Sequence, residues 1–367
     1  MKKRILINHL LEPANKLSGI SNYLFFLMES IIKRNEFELV LLTCWHRDKL
    51  PAEIADSNIV FIEKEYINSQ AVNIANQNYI LPKIIRDYNI DLVFNCNPVG
   101  GTRGKAKKVF VAHDLYFDVS PQSYKWHHRL AWNIFFPLAG KAADAIICVS
   151  NNTKNDVQRY HPKLVKKTQV IHEASCLDVI DSHPVRSAEK AGLFVANLSP
   201  NKGAKTLVSA MTYLKNKGIH LPVYHVGRDD HSRFAAHANI LKNGIYPSSL
   251  GYVSAEKLGH LYATARYLAF PSHFEGFGLP IIEAQSYGLP IIASDIPVLR
   301  EVAGEGALFF PEGDAEAMAQ CMQRLYEDEH LFTDISIKAR INADRFSWEK
   351  AAKETSELFL HCLDHTA

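Results

Sequence analysis

Short β-branched runs alternating with helix-patterned stretches predict an α/β chain of two doubly wound, parallel-sheet domains. Three observations carry this reading. The chain has 367 residues, too many for one small core and suited to two domains at about 100–200 residues each. Its strand-like runs are apolar almost throughout rather than alternating, as expected of strands buried on both faces. The alternation also breaks off once, in polar sequence around His183–Pro184 and Ser187–Lys190, and then begins again.

In the first half, Arg4–Asn8 reads as a strand, Ser21–Lys33 has helical apolar spacing, and Phe37–Leu42 is a second strand. Further buried-type strands follow at Ile90–Asn95, Lys108–His113 and Asp144–Val149. In the second half the strands fall at Gly192–Ala196, Pro222–Gly227, Tyr267–Phe270, Pro290–Ser294 and Ala307–Phe310. Trp348–Cys362 is helical in pattern and long enough to return to the first domain. The expected division is therefore 1–175, 190–345 and a C-terminal helix, 346–367, packing back on the first domain. Two such sheets facing each other would place the carboxyl ends of their strands on opposite walls of one cleft.

Composition narrows the function classes. With 47% apolar and 22% charged residues, the chain is neither disordered nor a disulfide framework. Its six cysteines lack CxxC or Cys/His metal spacing, which suggests reduced thiols and a cytoplasmic protein. The apolar run after Met1–Arg4 is too short for a signal peptide, and no run reaches the ~18 apolar residues of a membrane span. Residues 1–175 carry 23 Lys and Arg against 16 Asp and Glu, whereas residues 176–367 carry 18 against 23. The two halves thus suit different partners, but the excess is too small and too scattered for a nucleic-acid binder.

The segment Pro271–Ala284 is the most informative. A strand ends in a Gly-rich turn and runs into a helix opened near Pro280, where a missing N–H costs nothing. Backbone N–H groups at such a turn suit a phosphate or a sugar hydroxyl. Glu275 sits on the loop and Glu283 one turn into the helix. By spacing alone, the string is equally a structural turn carrying two solvated glutamates.

The whole string resembles the E-x7-E signature of retaining glycosyltransferases of family 4, which have the GT-B fold. The likeness extends over Leu250–Ser254, Leu258–Ala265, Glu275–Ala284 and Tyr287–Ser294. It implies that Glu275 approaches the transferred sugar and Glu283 holds the ribose hydroxyls of the nucleotide. It also implies that the amides of Gly276, Phe277 and Gly278 meet the sugar, with Leu279 near the diphosphate. The base pocket is expected around the backbone of Tyr252 and Val253.

The loop Val195–Gly203 is similar to the family's Gly-Arg-Leu…Lys-Gly motif, with Lys202 as its lysine. A loop lysine there would meet a diphosphate as a point charge and stabilise the leaving group. Asn197 stands where the family has an arginine, which removes one charge. Arg228 is a candidate to compensate, or equally a surface arginine. In the first half, Leu17–Asn22 is similar to the family's Gly loop, of which Gly19 remains, with Ser21 or Asn22 as expected helix caps. His113, at a strand's carboxyl end, matches a histidine that lies near the transferred sugar, so the resemblance makes Glu275, His113 and Lys202 the catalytic candidates.

The resemblance therefore implies a retaining, metal-independent hexosyltransferase. It would move a sugar from a UDP-, GDP- or dTDP-sugar to a lipid-linked or saccharide acceptor in lipopolysaccharide, O-antigen or exopolysaccharide synthesis, with a lean to mannose. No D-x-D motif occurs, so neither a metal nor another cofactor is expected. Tyr124–Trp132 and Phe135–Pro137 interleave aromatic and basic residues, which suits either an anionic membrane surface or an ordinary core helix. Lys105, Lys107 and Lys108 would add to that surface if adjacent. The resulting location is cytoplasmic, at the inner face of the cell membrane. Alternatives are a catalytically silent nucleotide-sugar-binding subunit and a GT-B sugar-nucleotide epimerase.

Overall fold

The computed structural model describes residues 2–10, 18–67, 69–123, 126–177, 189–228 and 246–365. The chain divides into two compact units, residues 1–173 with 347–367, and residues 174–346.

In the first unit seven parallel strands form one sheet. They are β1 (Arg4–His9), β2 (Glu38–Thr43), β3 (Val60–Glu63), β4 (Leu92–Asn95), β5 (Lys107–Ala112), β6 (Ala145–Cys148) and β7 (Thr168–Val170), in the order β3-β2-β1-β4-β5-β6-β7. β1 lies between β2 and β4, so the strand order reverses there and opens a crevice at the carboxyl ends of β1 and β4. All four residues of β4 and of β6 are buried, as expected of strands covered on both faces.

The Gly19–Arg34 helix follows β1. Its cap is Ser18, whose side chain accepts the Ser21 N–H, rather than Ser21 or Asn22. Ser21 is instead a buried residue of the helix's first turn, its hydroxyl 3.3 Å from the ring of His9. Leu17, from the same loop, lies outside the described residues.

The C-terminal helix, Trp348–Asp364, completes this unit. Trp348 stacks on Phe26 and meets Tyr23 edge-on, while Phe359 packs against Phe37 and Phe94. Lys107 Nζ donates to the His365 carbonyl at 2.9 Å and also pairs with Asp144. Lys108 is buried and donates to the carbonyls of Gly104 and Ala106. Both lysines are thus bonded to groups of their own unit, Lys107 to a carboxylate and a carbonyl and Lys108 to two carbonyls.

In the second unit six parallel strands form the other sheet. They are β8 (Gly192–Val195), β9 (Val223–Val226), β10 (Ser248–Ser249), β11 (Tyr267–Phe270), β12 (Ile291–Ser294) and β13 (Ala307–Phe310), in the order β10-β9-β8-β11-β12-β13. Here the reversal falls between β8 and β11, directly beneath the loops that carry Lys202 and Glu275. The core joins Phe194, Leu207, Met211, Tyr267, Met318 and Met322. Residues 183–188 of the polar stretch between the halves lie outside the described residues. All six cysteines are buried, and no disulfide joins any two of them.

Candidate functional site

At the end of β8 the backbone turns through Asn197 into a short helical turn, Pro200–Lys202. Gly203 then adopts a left-handed conformation (φ 65°) against the next strand end, where a Cβ would lie 1.8 Å from the Pro271 carbonyl oxygen. No other residue type fits this approach without backbone movement. Two hydrogen bonds join the loops: His273 N–H donates to the Asn201 carbonyl (2.7 Å), and Asn201 Nδ2 to the Phe274 carbonyl (3.2 Å). The paired loops bring Lys202 Nζ to 2.7 and 2.9 Å from the two carboxylate oxygens of Glu275.

Glu275 leads through Gly276, Phe277 and Gly278 into the Leu279–Ser286 helix. Its N-cap residue, Gly278, has no side chain to cap it, and Pro280 lies in its first turn. Gly278 takes φ 107°, which lets the chain bend sharply into the helix. Phe277 is buried edge-on against Phe346, fixing the turn from beneath. A helix start of this kind favours an anion or a hydroxyl oxygen.

Glu283 is buried one turn further on and accepts a hydrogen bond from the phenol of Tyr262 at 3.1 Å. Burial pushes its carboxyl up to about 7, with the Tyr262 hydrogen bond opposing the rise. No salt bridge is found for it among the described residues, so it is a carboxylate held in low dielectric by one neutral donor.

Asn197 does not take over the charge of an arginine. Its Oδ1 accepts both the Arg228 backbone N–H (3.0 Å) and the Tyr252 hydroxyl (2.8 Å), tying together three loops at the strand ends. Arg228 is exposed, and Tyr252 is 66% exposed with Val253 beside it. The structure thus brings Asn197, Arg228 and Tyr252 into one cluster and Lys202 with Glu275 into another.

His113 and Gly19 belong to the first unit. His113 Nε2 lies 2.9 Å from the Cys96 carbonyl and Nδ1 3.1 Å from Glu173. Burial disfavours its charge, but the Glu173 carboxylate and the Cys96 carbonyl outweigh that, and its pKa is raised. Both ring nitrogens are thus engaged by groups of the first unit. Gly19 opens the first helix, and a Cβ there would meet nothing within 4 Å.

Two partners of the candidate residues escaped sequence reading. Tyr262 is 21 residues from Glu283 and Glu173 is 60 residues from His113. Neither separation has a periodic signature, although Tyr262 lies inside the Leu258–Ala265 stretch that carried the resemblance.

In the 124–137 stretch, Tyr124 and Lys125 and the side chains of His127 and His128 lie outside the described residues. The Trp126–Ala142 helix buries Phe136 and Ala139 and stacks Trp132 on Phe117. Its other face leaves Trp126 77%, Leu130 52%, Ile134 47% and Leu138 53% exposed. Among the described residues no helix is long and apolar enough to cross a membrane.

Comparison with known proteins accounts for both units. Residues 179–342 match the family described as glycosyl transferases group 1, and residues 17–174 match glycosyltransferase family 4. O-antigen chain mannosyltransferase B of Escherichia coli is 29% identical over 187 residues, covering 50% of this chain and 48% of that protein. The chain spans about a third to a half of the length of the first curated relatives it matches. WaaG, a glycosyltransferase involved in lipopolysaccharide biosynthesis, superposes with a TM-score of 0.75 at 15% identity, covering 97% of this chain and 99% of that one. HepE of Anabaena, solved in complex with UDP and glucose, does so with a TM-score of 0.70 at 17% identity, covering 97% and 99%. Two parallel-sheet units, the E-x7-E helix start and matches to two glycosyltransferase family models, one over each half, lead to one assignment: the chain belongs to the group 1, family 4 glycosyltransferases of the GT-B fold.

Proposed function

We propose that the protein transfers a sugar from a nucleotide-diphosphate sugar to a hydroxyl of a cell-envelope saccharide or its lipid-linked precursor. The observation that carries this is Glu283, a carboxylate buried with a neutral phenol as its hydrogen-bond donor and without a salt bridge among the described residues. A ribose diol supplies the two donors that such a group lacks. Lys202 and the glycine-led start of the Leu279–Ser286 helix are then suited to the diphosphate, and Glu275 to the sugar.

In this reading the bond from the sugar to the diphosphate breaks while a bond to the acceptor oxygen forms on the same face. The acceptor's proton passes to the departing phosphate oxygen, and the configuration is retained. Lys202 stabilises the charge gained by the leaving group, a task that needs no metal. The names of the relatives favour mannose as the sugar and O-antigen or lipopolysaccharide as the product.

A lipid-linked acceptor at a membrane surface is supported by the Trp126–Ala142 helix. Its exposed apolar side chains recur every four residues, and the helix contains no carboxylate. The alternative of a catalytically silent nucleotide-sugar-binding subunit rests on Asn197, which replaces a charge with a neutral loop tie.

The deciding experiment screens UDP-, GDP- and dTDP-sugars by thermal shift, since a bound donor raises stability by mass action. Labelled donor is then followed into product with and without EDTA. Transfer that persists in EDTA is expected. Absence of any stabilising donor would refute the reading, and donor binding without transfer would favour the silent subunit.

A further inference from the structure

Lys202 is the cation that the proposed donor site offers a diphosphate, yet two of its three N–H bonds are already directed at Glu275. The arrangement is imposed by backbone. The Asn201 carbonyl and side chain bond to His273 and Phe274, and Gly203 lies against the Pro271 carbonyl, so the two loops cannot drift apart. The Glu275 side chain is 10% exposed and that of Lys202 25%, so the pair is neither a solvated surface pair nor a sealed one. A positive site is therefore neutralised from within before any ligand arrives.

We propose that the Glu275 carboxylate is an internal occupant of the anion site, so that a nucleoside diphosphate enters by exchange, drawing Lys202 away and releasing the carboxylate towards the sugar. This rests on the donor reading given above. A diphosphate carries more negative charge than one carboxylate, and the lysine's long stem lets its ammonium re-aim while the loop-bound Glu275 stays in place. The exchange leaves Glu275 buried without its cation, which is unfavourable unless something donates to it. The hydroxyls of an intact donor sugar do so. A nucleoside diphosphate that has lost its sugar does not. The pair thus discriminates for the intact donor and against the spent nucleotide, which hastens its departure after transfer.

The test is a cycle of titration calorimetry with UDP, GDP and dTDP on the wild type, Glu275→Gln, Lys202→Met and the double variant. Glu275→Gln keeps the shape but removes the competing charge, so the nucleoside diphosphate that binds the wild type should bind it about tenfold more tightly, the scale of losing one partly buried ion pair. The corresponding nucleotide-sugar should gain much less. In the Lys202→Met background the same replacement should give no gain. Glu275→Asp, which retains charge but shortens the reach, should give an intermediate gain and guards against a folding defect in the Gln variant. Unchanged or weaker nucleoside diphosphate binding by Glu275→Gln overturns the proposal. So does a gain that persists without Lys202, since that would be simple repulsion by the carboxylate. If none of the three nucleotides binds either the wild type or Glu275→Gln, the donor reading itself falls.

Discussion

Replacing Glu283 by Gln should stabilise the empty protein while impairing its donor site. Burial raises the Glu283 carboxyl from 4.5 to about 7 in the folded chain. Below 4.5 both folded and unfolded chains keep the proton, and burial of this group carries no ionic penalty. Between 4.5 and about 7 the unfolded chain ionises first, so stability falls as pH rises; above about 7 the loss is complete. The gap between the two values corresponds to about 3 kcal/mol. Gln has nearly the same volume and keeps an acceptor for the Tyr262 phenol, but has no charge to bury. Urea unfolding followed by circular dichroism at pH 8 should therefore show Glu283→Gln about 3 kcal/mol more stable than the wild type, shrinking to under about 1 kcal/mol at pH 5. At about 2–4 °C per kcal/mol for a unit of this size, the melting temperature at pH 8 should rise by about 6–12 °C. Donor binding should move the other way, because ribose hydroxyls bond best to the ionised carboxylate. In the wild type, donor affinity should accordingly increase with pH up to about 7 and then level off. A Gln variant that is no more stable at pH 8, or that shows the same gain at pH 5 as at pH 8, would refute the buried-charge account.

Lys202→Ala should lower kcat by about 10²–10³, the scale of removing one preorganised electrostatic group, and full turnover in that variant would place the diphosphate elsewhere. Arg228→Ala in the same steady-state assay separates a charge that compensates for Asn197 from a surface arginine; near-wild-type turnover would assign it to the surface. Binding to anionic vesicles in flotation should weaken as salt rises, at roughly 1 kcal/mol for each basic side chain near the surface. Replacing the exposed Ile134 by Glu on the apolar face should reduce that binding without altering melting temperature, and a protein that stays free of vesicles at low salt would refute the membrane reading.

The central strands were legible in the sequence because a parallel strand covered on both faces is apolar along nearly its whole length, as in β6 and β11 throughout and in β4 and β12 up to the final Asn95 and Ser294. The edge strands β3 and β10 were not: Val60 is 45% exposed, and β10 is two exposed serines. The cap at Ser18 was misplaced because serines stand at both 18 and 21, and the bonding choice depends on Ser21 being buried beside His9. Lys108 reads as a surface cation until Gly104 and Ala106 are seen to turn their carbonyls inward. At the site, loop position and spacing left Lys202, Glu275 and Glu283 open and the family resemblance singled them out, but neither pointed to their partners. The lysine–glutamate contact spans 73 residues and the tyrosine–glutamate contact 21, and only the folded sheet brings such residues together.

The Trp348–Asp364 helix has a consequence for biosynthesis. Because it belongs to the unit formed by residues 1–173, that unit is encoded in two pieces with the whole of 174–346 inserted between them. The first piece must wait on the ribosome with Tyr23, Phe26, Phe37 and Phe94 lacking their aromatic cover until Trp348 and Phe359 have been made. The inserted unit is contiguous and is free to fold during that interval. Synthesis order and folding order are thereby inverted: the half that emerges first is finished last, and a ribosome stalled before residue 347 leaves a completed second unit attached to an incomplete, apolar first one.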